Sequence, residues 1–225
     1  MSTTQRRGGS YIWVTWLTGL LSGDRRCTWA PWFKAHFKYD KVAAPSFDQA
    51  AWSSDHDDLV RRRVAELTAD GWLVFVEDQN AFTLQGKVAT LAGKPDIVAV
   101  RASDGDLNGD RLARVEDAKT GKPRHADFWQ VLTYMLALPL THEAVRGVSR
   151  LTGYVQYRDH VVTVQPEEFT PALRAKLIAL IGLVGGPDSP THAPSPRECG
   201  FCDIGPRDCT LRADRTRETV TSDLF

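Results

Sequence analysis

Two stretches decide the fold: Gly93-Lys94-Pro95-Asp96-Ile97-Val98-Ala99-Val100 and Val115-Glu116-Asp117-Ala118-Lys119-Thr120-Gly121. The first reads as an acidic residue at the start of an apolar strand. The second closes a strand running from Leu112 to Lys119. Side chains two apart on a strand share a face, so Asp117 and Lys119 point one way and Glu116 the other. A hairpin pairing of the two strands brings Asp96 beside them. Two carboxylates can hold a divalent cation, and an ammonium next to them suits phosphate-ester hydrolysis. Asp-x-Lys alone is by default a surface ion pair, so its company along the chain has to carry the catalytic reading.

Working outward, Trp72 to Leu84 and Val88 to Arg101 read as two long strands about a Gln85-Gly86-Lys87 turn, with a polar Gly/Asp/Asn loop over Ser103 to Arg111. Before them, Asp55 to Asp70 predicts a helix. His56, Val60, Val64 and Leu67 form one stripe at i, i+4, i+8 and i+11, and Gly71 ends it. A histidine at the end of such a stripe is either a satisfied core residue or a ligand. After the strands, His125 to Leu138 predicts a helix stopped by Pro139, with Gln130 and Tyr134 on one face at i, i+4. Leu151 to Tyr157 and His160 to Val164 predict a hairpin, and Pro171 to Val184 a last helix. N-terminal helices are expected from Thr15 and from Cys27 to Tyr39, with Pro31 in the first turn of the second. The rings of Trp13, Trp16, Trp29, Trp32 and Phe33 are expected in a core rather than as base-stacking platforms. Residues 1–10 are expected to be a disordered tail and 211–225 a C-terminal tail. The order of elements predicts an α/β domain over 11–210, with a mixed central sheet flanked by helices.

The 225 residues hold 28 basic and 28 acidic side chains, a zero formal charge that argues against a nonspecific nucleic-acid coat. Local basic patches remain at Arg25-Arg26, Lys34/Lys38/Lys41 and Arg61-Arg62-Arg63, each of which also fits a solvated face. The most apolar N-terminal run, Tyr11 to Leu21, is too short to span a bilayer and lacks signal-peptide architecture, so a cytoplasmic location without membrane contact is expected.

The four cysteines are Cys27 and a C-terminal C-x2-C-x6-C set, Cys199, Cys202 and Cys209. Four thiols suit tetrahedral Zn²⁺ or an iron–sulfur cluster. Two disulfides are the competing reading, disfavoured where no secretion signal is seen. Pro187, Pro190, Pro194 and Pro196, with Gly200 and Gly205, predict a looped backbone able to turn about a metal. A centre shared by Cys27 and the C-terminal set would staple residues 11–45 to 185–210 as a helical cap on a core at 55–165.

In this order His56, Gly93-Lys94-Pro95-Asp96, Asp117-Ala118-Lys119-Thr120-Gly121 and Gln130-Val131-Leu132-Thr133-Tyr134 resemble the motifs of the PD-(D/E)XK nuclease superfamily, in its RecB-like branch. One cysteine before the core and three after it resembles the iron–sulfur subgroup, which includes the AddB nuclease domain and CRISPR-associated exonucleases. The resemblance implies a restriction-endonuclease-like fold and a metal-dependent DNA nuclease, exonucleolytic on single-stranded or end-bearing DNA. Its settings are repair, CRISPR adaptation or phage DNA processing, beside other nuclease, helicase or integrase subunits. It implies Mg²⁺ or Mn²⁺ on Asp96, Asp117, His56 and the Ala118 carbonyl. Lys119 then orients water or stabilises developing charge, and Gln130 and Tyr134 position the site or the strand. Cys27, Cys199, Cys202 and Cys209 are implied to ligate a [4Fe–4S] cluster, with Zn²⁺ as the alternative. Two departures stand out: the interval between Asp96 and Asp117 is long, and Glu116 precedes Asp117 as a second candidate acid. Strand alternation favours Asp117. Glu77 is expected to have a supporting or structural role. A non-catalytic DNA-binding or assembly subunit keeping the same fold and cluster is the rival, and it has no chemical need for the Asp96/Asp117/Lys119 trio.

Overall fold

A computed structural model of the chain describes residues 4–42, 49–102 and 111–213. The elements in order are β1 (Gln5–Arg6), β2 (Tyr11–Trp13), α1 (Val14–Ser22), α2 (Trp29–His36), β3 (Phe37–Lys38), α3 (Gln49–Ala69), β4 (Leu73–Val76), β5 (Phe82–Gln85), β6 (Thr90–Gly93), β7 (Ile97–Ala102) and β8 (Arg111–Ala118). There follow α4 (His125–Thr141), β9 (Arg150–Gln156), β10 (Val161–Val164), α5 (Pro171–Gly185) and a one-turn α6 (Pro196–Cys199). The main sheet has the order β10-β9-β8-β7-β4. In it β8 and β9 run parallel and the other neighbours antiparallel. A three-stranded sheet, β2-β6-β5, stands beside it. The protein is therefore α/β, with mixed sheets flanked by helices.

The main sheet lies between α4 and α3. On one face Val131, Leu132 and Met135 of α4 join Ala113, Val115 and Val155 in the largest apolar cluster. A Cβ at Gly153 would collide with Val131 and Met135, so this glycine sets how closely α4 lies on β9. On the other face Leu59, Val60 and Leu67 of α3 pack on Ile97, Ala99 and Ala118, with Val64 partly buried among them. The stripe read from the sequence is thus the packed face of α3, and Gly71, at φ 79°, ends that helix in the left-handed conformation.

Several boundaries differ from expectation. The two long strands expected over 72–101 are four short ones in two sheets: β4 pairs with β7, and β5 with β6. The switch is made by a 3₁₀ turn, Glu77–Asn80, opposite the Lys94-Pro95-Asp96 crossing. Glu77 has φ 45°, and its N–H donates to the Asp96 carbonyl at 3.0 Å. The fully buried Asn80 donates its amide to the carbonyls of Phe75 (3.0 Å) and Pro95 (3.2 Å). Asn80 thus ties the two crossing segments together where Pro95 has no N–H to give. Pro139 does not stop α4: the helix runs to Thr141, and His142 N–H donates to Leu138 O at 2.8 Å beyond the proline.

The expected disordered tail is also corrected in part, because Gln5–Arg6 pair with Phe37–Lys38 and Arg7 N–H donates to His36 O at 2.7 Å. The expected helical cap begins instead with a strand, β2, which pairs parallel with β6 and so joins the core. The polar loop at 103–110 and the tail from 214 lie outside the described residues. Among the described residues no helix is long and apolar enough to cross a membrane.

Candidate active site

The sheet switch places Asp96 at the seam between the two sheets. In the main sheet Ile97 faces Glu116, so Asp96 lies beside the end of β8, where Asp117 and Ala118 emerge. Asp96 Oδ2 accepts from Ala118 N–H at 2.7 Å and stands 3.2 Å from His56 Nε2. Asp117, 2% exposed, forms an ion pair through Oδ2 with Lys119 Nζ. From α4, Gln130 Nε2 donates to Asp117 Oδ1 at 2.8 Å and contacts Tyr134 Oη at 3.0 Å, while Gln130 Oε1 accepts from Lys119 Nζ at 3.1 Å. The i, i+4 pair and the Asp-x-Lys pair therefore form one closed network. A Cβ at Gly93 would stand 2.6 Å from the Phe82 ring and 2.8 Å from Tyr134, so the close approach of Tyr134 to the seam requires glycine there.

Alternation along β8 sends Glu116 the other way. It is 1% exposed, accepts from Arg63 Nε of α3 at 2.7 Å and pairs with Arg114 Nε at 2.5 Å. Arg114 in turn lies over the Tyr154 ring at 3.9 Å. Glu116 is thus neutralised on the α3 face, and Asp117 is the acid that shares a site with Lys119. Asp96, Asp117, Ala118, Lys119, Gln130, Tyr134 and His56 all line a single cleft of about 910 Å³. Glu77 lines it too, as do Trp13, which was expected in the core but is 37% exposed, and Asp127 and Arg158, which the sequence did not single out. Asp127 accepts from Arg124 N–H at 3.1 Å at the start of α4 and from Tyr157 Oη at 3.0 Å. Its acidic position as the third residue of the helix was a legible capping signal.

Burial pushes the Asp117 carboxyl up to about 6; the Lys119 ammonium opposes that rise and the Asp96 carboxylate adds to it. Burial disfavours the Lys119 ammonium as well, but Asp117 more than offsets it, so Lys119 holds its proton more tightly than a free lysine. The hydrogen bond to Asp96 raises the His56 imidazole above its ordinary value against the effect of burial. Two adjacent carboxylates, one of them buried and reluctant to ionise, are oxygen donors of the kind that hard divalent cations take, but among the described residues no three His, Cys, Asp or Glu side chains stand together here at metal-holding spacing.

Cys27, Cys199, Cys202 and Cys209 line a second cavity together with Trp29 and His192. The carboxylate of Glu198 accepts the N–H groups of Arg26 (3.1 Å) and Cys27 (3.2 Å), which draws the N-terminal thiol to the C-terminal loop. Trp29, Trp32, Phe33 and Ile204 form a separate buried cluster against Cys27, Cys202 and Cys209. The Cys209 thiol is raised by burial, and also by Cys199, Cys202 and Cys27 near it. His192, missed in the sequence because it sits in an irregular proline-rich segment, stacks on Trp29 at 4.1 Å with Nδ1 3.9 Å from Cys209 Sγ. The thiol set suits zinc or iron–sulfur chemistry. Among the described residues, however, no three His, Cys, Asp or Glu side chains stand together at metal-holding spacing.

No family model matches the chain, and no curated protein matches it. Among solved structures, the crystal structure of SSO0001 is similar over 93% of this chain and 90% of that one, at 15% identity and a TM-score of 0.46. A likeness at that level assigns neither family nor activity.

Proposed function

We propose that the protein is a metal-dependent DNA nuclease of the PD-(D/E)XK type, RecB-like, with a restriction-endonuclease-like core. The observation that carries the reading is the closed network Asp117–Lys119–Gln130 beside Asp96 in one cleft. A structural ion pair on a strand has no need of a second carboxylate, an imidazole and a helix-borne amide converging on it.

In this reading Asp96, Asp117, the Ala118 carbonyl and His56 would hold Mg²⁺ or Mn²⁺. A cation held there would supply Lewis-acid activation of the phosphate and a lowered pKa for its water. Imidazole among oxygen ligands tilts the preference toward Mn²⁺. Lys119 keeps its ammonium charged, so it offers N–H donors and a positive charge where the phosphorane charge develops. Gln130 fixes the Lys119 ammonium and the Asp117 carboxylate relative to each other, and Tyr134 braces Gln130 from one turn further along α4. In the cap, Cys27, Cys199, Cys202 and Cys209 hold a [4Fe–4S] cluster, or Zn²⁺, as a structural staple rather than a reacting centre.

The test is hydrolysis of end-labelled linear and of circular single-stranded DNA by the purified protein with Mg²⁺ or Mn²⁺. Metal-dependent shortening of the linear strand with the circle intact is the expected result. If neither DNA is cut with either metal, the nuclease reading fails and the chain is a binding or assembly subunit.

A further inference from the structure

The hairpin of β9 and β10 leaves one edge of the main sheet open, because β10 is a terminal strand. Tyr157 N–H donates to His160 O at 2.9 Å, which makes residues 157 and 160 a hydrogen-bonded pair. The register alternates from there. Val162 bonds to Val155 and Val164 to Gly153, while Val161 and Thr163 turn their N–H and C=O groups away from β9. Gln165 N–H, next in that outward series, is taken by the Glu168 carboxylate at 2.5 Å, and Pro166 has no N–H to give. The open edge is therefore four groups long, the N–H and C=O of Val161 and of Thr163, and among the described residues nothing bonds to them. The strand has no charge, proline or bulge, and Val161 and Val162 are 48% and 38% exposed. Sheet edges are ordinarily protected by one of those devices or by a covering element. The opposite edge is protected in part: the outward N–H of Val76 on β4 donates to the Gln79 amide oxygen at 2.9 Å.

We propose that β10 is the contact strand of a twofold homodimer, pairing antiparallel about Val162 with β10 of a second copy of this chain. The inference is independent of the nuclease reading. In this register Val161 faces Thr163 of the second copy and Thr163 faces its Val161. Each pair exchanges two hydrogen bonds, so all four open groups are satisfied at once. Val162 meets Val162 on the axis in the closer, non-bonded type of pair, where two β-branched side chains pack well. The open window ends at the Arg158-Asp159 turn on one side and at the capped Gln165 on the other. A second copy matches that length, and a longer strand would run past both ends. The two ends also complement each other in charge. Arg158 stands before β10 and Glu167 after it, with side chains 57% and 67% exposed. Antiparallel pairing sets Arg158 opposite Pro166, next to Glu167, of the other copy, and the axis repeats the contact; parallel pairing would set like against like. Their present partners, Asp55 and Arg150, form exposed ion pairs that contribute little and are readily exchanged. Asp159 is turned to His160 at 2.8 Å and lies opposite the uncharged Gln165. Pro166 and Glu167 also line a cavity of about 340 Å³ with Leu136, Pro139 and Phe169, where the turn of the second copy arrives. A contact this short makes a dimer of the small, dissociable kind.

The experiment is sedimentation equilibrium of the full chain from about 1 to 200 µM, the range in which small interfaces dissociate, together with oxidative cross-linking. Wild type should pass from monomer toward dimer over this range. Val162→Lys sets two ammonium groups against each other on the axis. Thr163→Pro deletes an outward N–H and leaves the bonds to β9 in place. Each should weaken the dimer by at least about tenfold, with a thermal melt showing that the fold is kept. Val162→Cys should give a disulfide-linked dimer under mild oxidation, above the level that the four native cysteines give in wild type. Val161→Cys, which faces Thr163 rather than its own copy, should give far less. If a charge or proline variant fails to fold, the position dependence of the cross-link still decides. A wild type that stays monomeric throughout, a dimer that both folded variants leave unchanged, or equal cross-linking from positions 161 and 162 would each overturn the proposal.

Discussion

Gln130 spans Asp117 and Lys119: its amide nitrogen donates to the carboxylate at 2.8 Å and its amide oxygen accepts from the ammonium at 3.1 Å. The orientation of that amide is therefore set by charge on both sides. Neither an isosteric carboxylate nor an apolar side chain can satisfy both partners.

Gln130→Glu should be the more damaging replacement at this position, because it sets a third carboxylate against Asp117. Gln130→Leu leaves two charged groups short of a hydrogen bond, which costs about 1–3 kcal/mol of stability. The rate of DNA hydrolysis should fall by about 10- to 100-fold, as for other residues that orient a metal ligand. Steady-state cleavage and a urea melt on the same samples check both.

The Asp117 carboxyl gives the metal-free protein an acid-side stability. Its folded value, about 6, lies above the ordinary carboxylate value, so the folded state binds the extra proton. That contribution is fully present below about pH 4 and is lost as pH rises through 6, on the order of 2–3 kcal/mol in all. Asp117→Asn should remove this slope, measured as unfolding free energy against pH. Saturating Mn²⁺ should flatten it in wild type, because the cation favours the carboxylate.

Arg63 and Glu116 are 53 residues apart in sequence and joined on the α3 face of the sheet. Arg63→Ala leaves the buried Glu116 carboxylate paired with Arg114 alone and should cost about 1–3 kcal/mol. Cleavage at a temperature where the variant is folded should stay close to wild type, since Glu116 points away from the cleft. A large loss of activity in a fully folded Arg63→Ala protein would show that Glu116 belongs to the site after all.

Protein purified without oxygen should be brown, with a broad visible absorption that Cys209→Ser abolishes; a colourless, zinc-bearing protein would fix the alternative metal. In either case Cys27→Ser should lower the melting temperature, because it removes the single thiol on the N-terminal side of the proposed centre, while the Cys27 N–H bond to Glu198, a backbone bond, is kept.

Much of this geometry was legible from short-range rules. Strand period placed Asp117 with Lys119 and sent Glu116 away, and helix period aligned Gln130 with Tyr134. The sheet switch was not read: the polar stretch Glu77-Asp78-Gln79-Asn80 interrupts the apolar run between residues 72 and 84, but a polar break does not say that the strands on its two sides belong to different sheets. It is made by Glu77 in a left-handed turn and by one buried amide, Asn80, whose carbonyl partners are 5 and 15 residues away. The Arg63–Glu116 pair was hidden for a related reason, since charge pairing across long separations leaves no periodic signal. Gln5–Arg6 looked like tail because two polar residues form a strand only when a partner, here Phe37–Lys38, is delivered by the fold.

The central claim is that Asp117 and Lys119 are the reacting pair of a nuclease. The most direct measurement is the initial rate of cleavage of an end-labelled single-stranded oligonucleotide in Mn²⁺ by wild type, Asp117→Ala and Lys119→Ala. The account predicts metal-dependent cleavage by wild type and a loss of at least about 100-fold in each variant. Variants that are folded and cut as fast as wild type would contradict it.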